Sequence, residues 1–199
     1  SPSHFLLRLS AECRRRREAG LPLAVIALAL SNHAELPGAG GFRTGNRLLT
    51  EVARRLRDHF GSGWRVARCG PFHFYLALPG ETAKKAAESL ADLRPALEKP
   101  LPGSDFSPRF SAGIAAFPLQ TQQSRDLAER AEQALSAALA ENRPQVTWSE
   151  KLPPPPPSLL SPLGCKEELP TGCGKGEQAV GFELGDRVAL ECIRCTWAH

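Results

Sequence analysis

An α/β domain, with a mixed five-stranded sheet flanked by helices, is the fold class this sequence predicts. Three observations carry it. Residues 21–30 (LPLAVIALAL) form a continuous apolar run of strand length, bounded by Pro22 and by Ser31-Asn32, as a buried central strand requires. Residues 64–79 (WRVARCGPFHFYLALP) alternate with period two on both sides of a Gly70-Pro71 break, which is a hairpin pattern. Segments of helical period separate the strand candidates, so the sheet needs helices packed on it.

Taken in order, residues 4–19 read as a helix, with Phe5, Leu6, Leu9 and Cys13 at near-helical spacing, then Gly20 as a stop. After the central strand, residues 31–41 are a loop rich in Asn, Pro and Gly, with room for one helical turn. Residues 44–60 are a strong helix. Leu48, Leu49, Val52, Leu56 and Phe60 line one face, and Arg47, Glu51, Arg54 and Asp58 lie mostly on the other. Gly61-Ser62-Gly63 ends it before the hairpin.

Residues 81–99 are a helix with Ala86, Leu90, Leu93 and Leu97 inward, and Pro95 predicts a kink or an early end. Residues 101–108 are a loop. Residues 109–117 (RFSAGIAAF) are a strand in which Gly113 marks close backbone approach. Residues 123–141 are a helix with Leu127, Ala131, Ala134, Leu135 and Ala138 inward, and residues 145–149 a short edge strand. The expected organisation is a domain over 1–150, a proline-rich linker over 151–162 and a cysteine-containing tail over 163–199. The five prolines at 153–157 make the linker stiff and extended.

Composition bounds the function. Hydrophobic residues make up 42% of the 199, enough for a real core. A net charge of +4 is too weak to argue for nucleic acid, and the one dense basic run, Arg14 to Arg17, reads as a solvated helix face. No apolar run reaches the ~18 residues of a membrane span. The opening SPSHFLLRLS lacks a basic start and an apolar core, so no secretory leader is expected, and the complete absence of methionine suggests a piece of a longer chain. Cys13 and Cys69 are lone cysteines in regular segments, as in a reduced, cytoplasmic protein.

The order of elements, with the strings at 22–30, 48–56 (LLTEVARRL), 66–79, 111–118 (SAGIAAFP) and 131–146, resembles the GGDEF domain of diguanylate cyclases. That family joins two GTP molecules into cyclic di-GMP. The resemblance implies a hairpin tip reading Gly-Gly-Asp/Glu-Glu-Phe; here it is Gly70-Pro71-Phe72-His73-Phe74. The motif's metal-binding acid falls on His73, and an apolar ring, Phe72, stands where another acid belongs. The magnesium-binding Asp of the first strand falls on Ala29, and a second acid two residues on falls on Ser31. Magnesium takes oxygen ligands and must neutralise a triphosphate, so a methyl and an imidazole do not serve. A lone histidine at a turn reads as a solvated side chain.

By the same resemblance the guanine-reading pair falls on Pro37 and Asn46. Proline cannot donate, and Asn46 lacks the charge; it reads equally as a helix N-terminal residue. The phosphate-holding Lys falls on Leu139, whereas the Arg that follows survives as Arg143, a residue that also complements a helix C-terminus. The product-inhibition motif Arg-x-x-Asp falls on Gly61 and Trp64. Glu35 is the only acid in the first loop.

In the tail, Cys192-x-x-Cys195 with Cys165 and Cys173 could supply four thiolates to a tetrahedral zinc. Reduced cysteines in a loose tail are the preferred reading, and a redox pair at Cys192 and Cys195 is a third. The main domain is expected to need no cofactor.

The functional expectation is therefore a catalytically inactive domain of this family with a regulatory or protein-interaction role in bacterial signalling. Its partner would be another protein, an upstream sensor domain or a second copy of the chain. A module that binds GTP without reacting is the alternative, and an active cyclase the third reading.

Overall fold

The computed structural model describes residues 2–36, 38–61, 63–100, 103, 105–118, 124–152, 181–184 and 187–190. The chain divides into two compact units, Ser1–Leu163 and Gly164–His199. The first holds α1 (Pro2–Ala19), β1 (Leu23–Leu30), a 3-10 turn (His33–Glu35), α2 (Gly38–Phe60), a second 3-10 turn (Gly63–Arg65), β2 (Val66–Arg68), β3 (His73–Pro79), α3 (Ala83–Leu97), β4 (Phe110–Phe117), α4 (Ser124–Ala140) and β5 (Gln145–Thr147). The five strands form one sheet in the order β2-β3-β1-β4-β5. β1 runs antiparallel to both neighbours, whereas β4 and β5 are parallel, so the sheet is mixed.

β1 is apolar throughout because both of its faces are covered. Ala24, Ile26, Leu28 and Leu30 face a core built with Leu48, Val52 and Leu56 of α2 and Leu90, Leu93 and Leu97 of α3. Leu23, Val25, Ala27 and Ala29 face a second core with Phe5, Leu9 and Cys13 of α1 and Leu127, Ala131 and Leu135 of α4. Each Leu or Ile side chain removed from water contributes about 1.5–3 kcal/mol, so this one strand anchors both layers. At Gly113 a methyl would collide with the Ala131 carbonyl oxygen and the Leu135 amide nitrogen of α4. The close approach expected there is thus a helix lying directly on a strand.

Local chemistry sets the other boundaries. Thr82 caps α3, its hydroxyl accepting from the Lys85 amide at 3.3 Å. Pro95 does not stop the helix where it stands; it lies in the last turn, where only one amide bond is lost. Beside it Arg94 donates to the carbonyls of Phe110 and Pro144, at 2.6 Å each, and ties α3 to β4 and β5. Asn142 adopts a positive φ of 51° and terminates α4.

Several expectations need correction. α2 begins at Gly38, six residues before the expected Thr44, because extending a nucleated helix adds a hydrogen bond per residue even through glycines. Trp64 and Arg65 form a 3-10 turn rather than strand; Gly61 and Gly63 on either side have φ of 96° and 83°, and redirect the chain. Cys69 lies just past β2, in the turn. Arg16 leaves the solvated face and donates to buried Glu12 at 2.7 Å.

In the second unit β6 (Gly181–Leu184) pairs antiparallel with β7 (Arg187–Leu190). Prolines 153–157 and Cys165, Cys173, Cys192 and Cys195 lie outside the described residues. Cys13 and Cys69 are buried free thiols. No described helix is long and apolar enough to cross a membrane.

Candidate functional site

The ladder brings two of the singled-out positions, Ala29 and His73, into one row with Ser111. Ala29, near the end of β1, pairs with His73 at the start of β3 on one side and with Ser111 of β4 on the other. Ala29 is 4% exposed, a methyl sealed into the core beneath α1 and α4. The Ser111 hydroxyl donates to the Arg143 carbonyl at 3.0 Å, so Arg143 reaches this row through its backbone. Its exposed guanidinium turns to Glu141 at 3.2 Å. Leu139 is half-buried and packs against the same core.

His73 is not the solvated side chain expected of a turn. It opens β3, is half-buried, and its Nε2 has no hydrogen-bond partner. Burial, with a smaller effect of His33, holds its proton affinity below the ordinary imidazole range. A neutral ring is therefore what this position presents. Among the described residues no group of three or more His, Cys, Asp or Glu could hold a metal ion.

The hairpin tip is tied down from several sides. The Cys69 amide donates to the His73 carbonyl at 3.0 Å and closes the turn. Arg68 donates to the carbonyls of Gly70 at 3.1 Å and Pro71 at 3.2 Å. The Leu30 amide donates to the Phe72 carbonyl at 3.1 Å. The Phe72 ring stacks on His33 with centroids 5.3 Å apart. At Gly45 of α2, an added methyl would sit 3.6 Å from Leu36 and 3.8 Å from Phe72. Phe72 and Leu36 thus close the space between tip, loop and α2 with apolar surface.

The loop after β1 is fixed by a residue that the sequence reading passed over. Asn32, buried, donates through Nδ2 to Glu35 and to the Ser107 carbonyl, at 2.9 Å each. Its Oδ1 accepts from the Arg109 amide at 2.8 Å. An asparagine directly after a buried strand, able to donate and accept at once, is the only signal that could have flagged it. Ser31 makes no open ligand either; its hydroxyl donates to the Arg109 carbonyl at 3.0 Å. Glu35 bonds to Asn32 and to Arg109, which together hold its carboxyl below the usual range.

Asn46 lies well inside α2, more than two turns from its start, so it is not a helix N-terminal residue. It is exposed and borders a groove of about 600 Å³ lined also by Arg47, Thr50, Arg55 and Lys99. Within that groove Glu51 is held down at about 2, chiefly by Arg54 and then by Arg55. Pro37 lies outside the described residues.

A family model described as diguanylate cyclase, GGDEF domain, matches residues 2–145. The chain belongs to the GGDEF family. Among relatives, an uncharacterised signalling protein of Caulobacter vibrioides is 30% identical over 141 residues, which are 69% of this chain and 17% of that protein. The chain thus spans about a sixth of that relative. A sensory box/GGDEF protein from Caulobacter crescentus is 28% identical with a TM-score of 0.62, over 69% of this chain and 90% of that structure. The GGDEF domain of YfiN (TpbB) from Pseudomonas aeruginosa shares the fold, with a TM-score of 0.67 at 24% identity, over 74% of this chain and 94% of that one.

At the two positions where the resemblance implies metal-binding acids, this GGDEF domain has Ala29 and His73, paired in the sheet, with Ser111 alongside. The residues present do not fit magnesium: a buried methyl offers no lone pair, a neutral imidazole is a poor partner for a hard cation, and the Ser111 hydroxyl is engaged. The positions on which the resemblance places the Arg-x-x-Asp motif do not match it either. Gly61 has no side chain, and Trp64 packs on Phe5 with ring centroids 6.2 Å apart.

Proposed function

We propose that this GGDEF domain is catalytically inactive and acts through protein contacts in a cyclic di-GMP-type signalling protein. One observation carries the reading: the Ala29–His73–Ser111 row contains no carboxylate where joining two GTP molecules would need a pair. The Phe72–His33 stack adds to it, since an aromatic ring packs where the resemblance implies another acid. Incubation with GTP and magnesium is expected to yield no cyclic di-GMP. Turnover at an enzyme's rate would overturn the proposal.

A second reading is favoured by the groove beside Asn46, where Arg47, Arg55 and Lys99 offer positive charge. In it the domain binds GTP without reacting and switches a partner, with Arg143 as a further anion contact. Titration calorimetry with GTP, GDP and cyclic di-GMP decides it; no heat at millimolar ligand removes it.

The buried reduced thiols Cys13 and Cys69 suit the cytoplasm, which is where we place the domain. Its partner is an upstream sensor domain, another protein or a second copy. Metal analysis of the chain, with and without residues 151–199, tests zinc binding by Cys165, Cys173, Cys192 and Cys195.

A further inference from the structure

The layer beneath α1 and α4 buries a cluster that the row of Ala29, His73 and Ser111 does not use. Glu132 of α4 is 2% exposed, and Tyr75 of β3 and Cys69 of the hairpin turn are buried beside it. Among the described residues neither Glu132 Oε2 nor the Tyr75 hydroxyl makes a hydrogen bond of good geometry, yet the two lie close enough for the hydroxyl to favour the carboxylate. A buried polar atom left without a partner is costly.

The charges around Glu132 do not neutralise it. On its own helix Glu129 adds a negative charge that acts on Tyr75, and Arg130 lies over the Trp148 ring at 4.1 Å. From α1, Arg15 and Arg16 are engaged by Glu12 at 3.5 and 2.7 Å, and Arg17 lies over the Phe117 ring at 5.8 Å. β3 contributes Tyr75 and the hairpin Cys69, and neither supplies a cation. Glu12, the other buried carboxylate on this face, has two arginines; Glu132 has no ion pair among the described residues.

The surrounding elements are attached in different ways. α4 lies directly on β4 at Gly113, and β3 is held between β1 and β2. α1 meets this layer through the side chains of Leu9, Cys13 and Phe5, whose ring stacks on Tyr75 at 5.4 Å.

We propose that Glu132, Tyr75 and Cys69 form a proton-responsive joint beneath α1, which keeps the helix seated while the Glu132 carboxyl is protonated and unseats it when that proton is lost. Desolvation raises the Glu132 carboxyl to about 7, opposed only by Tyr75. Burial, reinforced by Glu132, raises Tyr75 and pushes Cys69 up to about 12. Of the three, Glu132 alone changes charge near neutrality. Its proton is held more tightly in the folded chain than in the unfolded one. The stability it adds is complete below its ordinary value of 4.5 and is lost as pH rises through about 7. Above that, the carboxylate gains hydration only if water enters under α1.

The test compares the full chain with Glu132→Gln, which keeps the shape and removes the proton. Alkylation of Cys13, read on its own peptide by mass spectrometry, reports the seating of α1. At about pH 8 the native chain should label several-fold faster than Glu132→Gln at the same pH, with the difference gone near pH 5. Equal rates at both values would overturn the joint. If Glu132→Gln does not fold, Tyr75→Phe removes the hydroxyl that favours the carboxylate, and the labelling transition should move to higher pH. An unmoved midpoint would overturn it equally.

Discussion

The two faces of the sheet differ in kind. The face under α2 and α3 is apolar from end to end, from Phe110 and Leu30 to Leu78 and Ala116. The face under α1 and α4 shares its strands but also buries Ser111, Cys69, Tyr75 and Glu132, with His73 half-buried at one end. The first can be repacked with any apolar side chain of similar volume; the second responds to charge and to backbone clearance. In this domain, burial and chemistry are separated by a single layer of strands.

The largest expected effect tests backbone clearance. Gly113→Ala places a methyl against the α4 backbone and should cost about 4 kcal/mol or prevent folding. The same change at Gly45 meets only ordinary contacts, so Gly45→Ala should be neutral or stabilise by up to about 1 kcal/mol, read from urea midpoints. Equal losses at the two sites would erase the contrast.

Leu90→Ala, in the apolar layer, should cost about 3 kcal/mol, and by the same amount at pH 5 and pH 8. Glu132→Gln should instead change the pH profile. The native chain should lose about 3 kcal/mol relative to the variant between its unfolded and folded titrations, as order-of-magnitude linkage from 4.5 to about 7 implies. A pH-dependent Leu90→Ala would merge the two faces into one.

Phe72→Ala removes a half-buried ring at the tip and should cost about 1–2 kcal/mol by thermal melting. Smallest of all, Arg143→Ala should change stability by less than about 0.5 kcal/mol, because its guanidinium is exposed and meets only Glu141. A larger loss would show that the side chain, and not only the carbonyl bonded to Ser111, supports the row.

Much of the architecture is legible in the residues. The run 23–30 announces a strand covered on both sides, Gly113 announces close approach, and Leu48, Val52 and Leu56 repeat along one helix face. That Ala29 and His73 are not carboxylates is legible too, since their identities stand in the sequence. The burial of His73 is not, nor the threefold bonding of Asn32, nor the early start of α2. The first two depend on segments distant in the chain: His73 pairs with β1 and is desolvated near His33, and Asn32 is engaged by residues 107 and 109.

Periodicity and side-chain chemistry are written locally, because a strand or helix face needs only its own repeat and one solvent boundary. They sufficed for most of the elements and their inward faces. Whether one polar side chain ends up hydrated, bonded or stranded was settled by the packing of helices onto strands, since desolvation is a property of everything that surrounds an atom. That is why Glu132 reads in the sequence as one more helix glutamate, and in the fold as a carboxyl sealed beside Tyr75.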